Sequence, residues 1–311
     1  MLVNLLSRNS NFVQIVFCAL FLALFSFGLF QQVVDWELVV GVLFFLLSIL
    51  FSVLFFNNSN LIKVPSFAVL FFLSWVFVFS DIYLDYKISI SLLSSTLIFW
   101  RLLLAERRPE NKKFLFDIGL LISLSGLFYP PSFLMFFFLL FTFIYKQTVT
   151  LRGVILFVVG ISLPLIVGSQ VLFLIDRVDW LVEFKNDFEL NYWKTSILGL
   201  IPIGILILIA WMDHFASVTS QDVNKRHYYF LAFLYFINWI VILSLYGGGN
   251  LNLMVFLGFP IAIFLTRVVQ YQKNQKVKEL FLWLYLAFIT AFYFRSEISE
   301  FYQDLLGNVS F

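Results

Sequence analysis

The stretch "FLFDIGLLISLSGLFYPPSFLMFFFLLFTFIY", Phe114 to Tyr145, decides the fold, because its reading sets the side on which everything after it lies. As one helix it would run about 48 Å at 1.5 Å per residue. That is too long for one ordinary crossing of a hydrocarbon core of roughly 30 Å. Turned at Pro130-Pro131, it becomes two helices of about 22–24 Å each, which local thinning of a bilayer accommodates. Proline disfavours helix at the residue before it, so Tyr129 is the natural break.

The rest of the chain has the same character. Of its 311 residues 62% are hydrophobic and 12% charged, whereas a water-soluble domain carries roughly 25% charged residues. Apolar runs recur along the whole length, and runs such as "VGVLFFLLSILFSVLFF" do not alternate as barrel strands do. Helices are therefore expected, since hydrocarbon leaves no partner for an unpaired backbone group. The expectation is an all-α, polytopic bundle of eleven spans forming a single integral membrane domain, residues 1–311. The spans fall near 12–31, 37–56, 64–80, 88–104, 114–129, 131–145, 153–175, 195–212, 228–246, 251–266 and 278–294. The first is too long for the apolar region of a cleavable leader and reads as a retained helix. The 43 phenylalanines read as lipid-facing bulk.

Loop charge sets orientation. With the 114–145 stretch split, one set of loops holds 15 of the 20 basic residues, among them Lys63, Arg101, Lys113, Arg152, Arg226, Arg267, Lys273, Lys276 and Lys278. The other set holds the remaining 5, Lys87, Arg177, Lys185, Lys194 and Arg295. The positive-inside rule then puts the N-terminus inside and the C-terminus outside, in a bacterial inner membrane. Most acids fall on the outer side. They include Asp35 and Glu37 in "QVVDWELV", Asp81 and Asp85 in "FSDIYLDYK", and the 176–194 segment "DRVDWLVEFKNDFELNYWK". There Trp180, Phe184, Phe188 and Tyr192 recur every four residues beside a stripe of Asp179, Glu183 and Asp187. This pattern predicts an amphipathic helix in the outer interface, either an anchoring connector or a lid.

Chemistry is sparse. The chain has no phosphate-binding loop, zinc-protease or nucleophile-elbow motif, and Cys18 is its single cysteine. His214 and His227 lie thirteen apart in one inner loop and read as loop residues, so no metal or cofactor is expected. "GGGN", Gly247 to Asn250, reads as a tight turn, with a phosphate cradle as the alternative. The basic run "RLLLAERRPENKK" reads as an anchor beside anionic lipid. No ionisable residue is expected at the middle of a span, which argues against an ion-coupled transporter or flippase. Membrane lipids and a membrane protein are the expected partners. Nothing points to nucleic acid.

The region from "NLIKVPSFAVLFFLSWVFVFSDIYLDYK" through "RLLLAERRPENKKFLFDIGLLISLSGLFYPPSFL" to "GVILFVVGISLPLIVG" resembles the middle of a GT-C membrane glycosyltransferase. The whole sequence also resembles an uncharacterised multi-pass family of Bacteroidota with no assigned activity. The GT-C resemblance implies a protein that handles a polyprenyl-phosphate-linked sugar at the outer face. It implies an essential carboxylate in the first outer loop, matched by Asp35 or Glu37, and another in the second, matched by Asp81 or Asp85. One of them would act as general base. Lys87, Arg177 or Lys194 would stabilise the leaving lipid phosphate. The first outer loop here, Gln31 to Trp36, is far shorter than the loop such enzymes fold there, so an active enzyme and a degenerate relative both fit. The competing class is a non-enzymatic subunit or scaffold of an envelope assembly. Of the two acids after the third span, Asp81 is expected to matter more, held at a helix end and partly buried, with Asp85 mid-loop, where it can turn to water or pair locally with Lys87.

Overall fold

The computed structural model describes residues 2–7, 11–29, 32, 34–59, 62–107, 113–146, 150–174, 185–190, 201–216 and 223–295. Twelve α-helices occur among them, with no strand: α1 Leu2–Ser7, α2 Asn11–Leu29, α3 Trp36–Asn58, α4 Pro65–Val78, α5 Tyr86–Arg107, α6 Lys113–Phe128, α7 Met135–Lys146, α8 Leu151–Leu174, α9 Ile201–Ala216, α10 Val223–Tyr246, α11 Gly258–Tyr271 and α12 Gln275–Tyr293. Short 3-10 turns at Ser80–Leu84, Pro130–Leu134 and Leu251–Leu257 link or extend them. The expected break at Tyr129 is present. Its backbone turns extended (φ −132°, ψ 90°) and a 3-10 turn begins on Pro130.

Each expected span coincides with helix over its described part, but length differs sharply among them. Among the described residues four helical stretches are long and apolar enough to cross a membrane: Trp36–Asn58, Leu151–Leu174, Arg226–Tyr246 and Leu251–Tyr271. Shorter apolar helices fill the rest, among them Pro65–Val78 and Ile201–Met212. Leu251–Tyr271 is central, with 83% of its most apolar stretch buried, and Leu151–Leu174 is peripheral, with 11% buried.

Ring contacts between helices fix their directions. The start of α3 meets the start of α5 through Trp36 and Tyr86, whose rings are 5.4 Å apart. Tyr86 also meets Phe128 at the end of α6, at 6.3 Å. Phe77 in α4 meets Tyr293 in α12 at 5.1 Å. These place Asp35, Asp81 and Asp85 at one end of the bundle. At the other end Lys63 lies over Tyr271, and Gln275 donates to the Asn4 side chain. Lys63, Arg101, Lys113, Arg152, Arg226, Lys273, Lys276 and Lys278 are at this second, basic end by helix direction.

Two expectations are corrected. The phenylalanines are not chiefly lipid-facing bulk. Phe45, Phe55, Phe56, Phe71, Phe72, Phe99, Phe259 and Phe264 are buried in one core. Phe259 of α11 meets Phe55, Phe56 and Phe99 at 5.0–5.2 Å, and Phe72 at 6.4 Å. Lipid is as apolar as a phenylalanine ring, so close packing rather than escape from solvent explains their burial. The second correction concerns Arg267, expected in a basic loop. It lies inside α11 and is 1% exposed. Its guanidinium sits 4.6 Å above the Tyr229 ring and 5.6 Å from that of Tyr271. Two aromatic faces replace part of the lost water.

Four of the buried serines and threonines cost the core little, whereas the hydroxyls of Ser66, Ser123, Ser132 and Thr266 are buried without a partner. Ser52, Ser94, Thr96 and Thr142 donate to the carbonyl one turn back, at 2.8–3.0 Å. Each hydroxyl is thus satisfied within its own helix. Ser91 and Ser125 pair between α5 and α6 at 2.6 Å. Helices α6 and α8 touch through glycine. A Cβ on Gly119 would sit 2.5 Å from the Phe157 carbonyl oxygen, and one on Gly160 would collide with the Phe116 carbonyl. Small residues let two backbones approach where no hydrophobic force operates.

Gly160→Leu should therefore cost about 1–3 kcal/mol by overpacking. Gly204→Ala, which adds a methyl group where nothing lies within 4 Å, should stabilise α9 by up to about 1 kcal/mol. Thermal unfolding in detergent checks the pair. Equal shifts in both variants would remove the contact from the account.

Candidate functional site

The acidic end is built on two parallel helix starts. α3 and α5 lie side by side and run the same way, so their unpaired N–H groups meet at one place. Each start carries an aspartate. The Asp35 carboxylate accepts from the Leu38 N–H at 2.7 Å. The Asp85 carboxylate accepts from the Lys87 N–H at 2.9 Å, and its carbonyl accepts from the Ser89 N–H at 3.1 Å. Both acids are thus helix caps, placed where the positive ends of two helix dipoles favour negative charge. Glu37 is exposed in the first turn of α3, where it adds to that effect.

Packing closes the ends around these caps. Gly41 has no side chain, and a Cβ there would run into the Tyr83 carbonyl and lie 3.4 Å from the Tyr86 nitrogen. Only glycine lets the Ser80–Leu84 turn settle directly on α3. Tyr83 fills the gap between helices, its ring 4.9 Å from Phe25 and 6.3 Å from Phe45. Burial, and after it the neighbouring Asp81 carboxylate, push the Tyr83 phenol above its ordinary value. That value is already near 10, so the phenol stays neutral through the physiological range.

The partial burial expected of Asp81 is not found. Asp81 is exposed on the 3-10 turn, not partly buried, while Asp85 is half-buried and held by its hydrogen bond. The reason is chain direction: the turn after α4 points Asp81 outward and delivers Asp85 to the start of α5. Lys87 is half-buried in the first turn of α5. Arg177 and Lys194 lie outside the described residues, as does most of the 176–194 amphipathic pattern. Within it 185–190 are described, all exposed, with Phe188 packed 5.2 Å from Tyr246 at the end of α10.

Other features of this end were not visible in the pattern of residues. The Tyr129 hydroxyl is buried without a hydrogen-bond partner. Beneath it, the Phe256 ring stacks on Tyr129 at 6.1 Å and on Trp239 at 3.9 Å. Trp75 donates its indole N–H to the Met254 carbonyl at 2.9 Å, tying α4 to the Leu251–Leu257 turn. The break at Pro130-Pro131 was the only available hint of Tyr129. The glycine run behaves as a tight turn: Gly248 and Gly249 take φ of 59° and 93°, and the Asn250 N–H donates to the Gly247 carbonyl at 2.9 Å. Positive φ at two successive positions is readily adopted by glycine.

A groove of about 670 Å³ lies at the opposite end, between α2 and α3 and beside the start of α4. Gln14, Ile15, Cys18, Ala19, Leu22, Val53, Asn57 and Pro65 line it. Among the described residues no group of three His, Cys, Asp or Glu side chains is placed to hold a metal ion.

The model of a family of unknown function, DUF6427, matches residues 1–302, so the chain belongs to that family. No curated protein and no solved structure matches it.

If Asp35 and Asp85 are caps, Asp35→Ala and Asp85→Ala should each lower stability by about 0.5–2 kcal/mol. Asp35→Asn should retain most of it, because asparagine caps as well as aspartate. Asp81→Ala should leave the unfolding temperature unchanged. A thermal series in detergent decides, and a destabilised Asp81 variant beside neutral cap variants would reverse the assignment.

Proposed function

We infer that the chain is a multi-pass protein of a bacterial inner membrane that acts as a non-enzymatic subunit organising an envelope assembly. The carrying observation is the use of Asp35 and Asp85 as helix caps at the acidic end. Each carboxylate caps the start of its own helix and is thereby committed to structure, and the Tyr83 carbonyl packs on Gly41 beside them. The eleven-span reading and its orientation rest on the split of charge between the two ends. The basic end faces the cytoplasm under the positive-inside rule, and the acidic end faces outward. Residues 185–190, exposed and anchored through Phe188, offer an outer surface for a membrane protein partner.

A GT-C-like reading has its own support in Asp81. This acid is exposed at the same end and makes no cap. In that reading Asp81 takes the acceptor's proton as general base, and Lys87 steadies the phosphate of a polyprenyl-linked sugar.

One comparison separates the two. Asp81→Asn, with stability checked, is expected to leave the surface-glycan profile and the polyprenyl-linked lipid recovered with the purified protein unchanged. Replacing Leu190 with a photo-crosslinking residue is expected to give a single membrane-protein adduct in cells. A glycan defect in a fully stable Asp81→Asn protein would overturn the subunit reading in favour of the enzyme.

A further inference from the structure

We propose that the groove between α2 and α3 at the basic end holds one anionic phospholipid, with an acyl chain along the groove and its phosphate against Lys63. The groove has the two-part chemistry of such a ligand. Ile15, Ala19 and Leu22 from α2 and Val53 from α3 make an apolar wall. Gln14, itself buried, and Asn57, exposed, supply amides at the end nearest Pro65. Amides there suit the ester and glycerol oxygens that lie between acyl chains and phosphate. A volume of about 670 Å³ accommodates an acyl chain, and the groove is open on one side, so a lipid enters from the bilayer without unfolding anything.

Charge selects the headgroup. Pro65 lines the groove and Lys63 is two residues before it, so the two Cα atoms lie within about 7.6 Å along the chain. Lys63 is exposed, and its ammonium lies 5.1 Å from the Tyr271 ring. Arg267 approaches the same ring at 5.6 Å from the bundle interior. Two positive charges thus share one aromatic side chain. Lys63 is the exposed one of the two, and a phosphate diester at the membrane surface is the abundant anion in reach. The loop that presents Lys63 is fixed to α11. The Lys63 N–H donates to the Gln270 side-chain oxygen at 3.3 Å, and the Gln270 amide donates to the Val64 carbonyl at 3.4 Å. The cation is therefore held in place rather than carried on a free loop.

The single cysteine provides the readout. Cys18 is half-buried and lines the groove, so a bound lipid shields it. The full chain is reconstituted in vesicles of phosphatidylcholine alone and of phosphatidylcholine mixed with phosphatidylglycerol. The rate of Cys18 modification by N-ethylmaleimide is measured in both, and retained lipid is weighed by native mass spectrometry. Wild type should label more slowly with phosphatidylglycerol present and carry one such lipid. Lys63→Gln should lose the protection and retain the lipid about fivefold less, the factor one lysine contributes beside an anionic headgroup. Ala19→Trp, which fills the groove without altering charge, should abolish retention in a protein that still unfolds cooperatively. Arg152→Gln, a basic residue at the same end on α8, should behave as wild type. Equal labelling in the two vesicles, or equal lipid loss from Lys63→Gln and Arg152→Gln, would overturn the proposal.

Discussion

Close packing has to hold these helices together, because between apolar helices in lipid the usual hydrophobic force is missing. The bundle meets this constraint in two ways. Where backbones must touch, it uses glycine: Gly119 and Gly160 join α6 to α8, and Gly41 receives the Tyr83 carbonyl. Where side chains must fill space, it uses aromatic rings at tilted and edge-on angles, centred on Phe259. Ring pairs of this kind add specific geometry to bulk contact. The most buried stretch, Leu251–Tyr271, carries both Phe259 and the buried Arg267.

The same packing dictates what the acids do. Because α3 and α5 run parallel and touch, two sets of unpaired N–H groups are brought to one end of the bundle. Asp35 and Asp85 answer that need, and Tyr83 packs nearby against Phe25 and Phe45. Acids that resemble a catalytic pair in the linear chain are, in three dimensions, the fastenings of two helix starts. Asp81 is the exception, set outside by a 3-10 turn. At the opposite end Lys63 and Arg267 converge on Tyr271, and a groove that is apolar along one wall opens between α2 and α3.

The glycine turn at Gly247–Asn250 shows how local and global readings can agree. Successive glycines predicted a turn, and positive φ at Gly248 and Gly249 produces one. The Pro130-Pro131 break is a second case, since the missing N–H and the steric demand on Tyr129 act within three residues. Where the controlling interaction is local, the residues themselves announce it.

The sequence by itself determined the helical class, the place of nearly every helix, the break at Tyr129 and the separation of basic from acidic ends, because apolar run length, proline and loop charge all act along the chain. It also pointed to the acids that gather at one end. Only the tertiary structure decided that phenylalanine forms the core rather than the lipid face, that Arg267 is interior, and that Asp85 is fixed while Asp81 is exposed. These depend on which helix faces which, and that is settled by contacts between residues far apart, such as Gly41 with Tyr83 and Trp75 with Met254. A period of apolar residues states that a helix has a surface to bury. It does not name the neighbour that buries it.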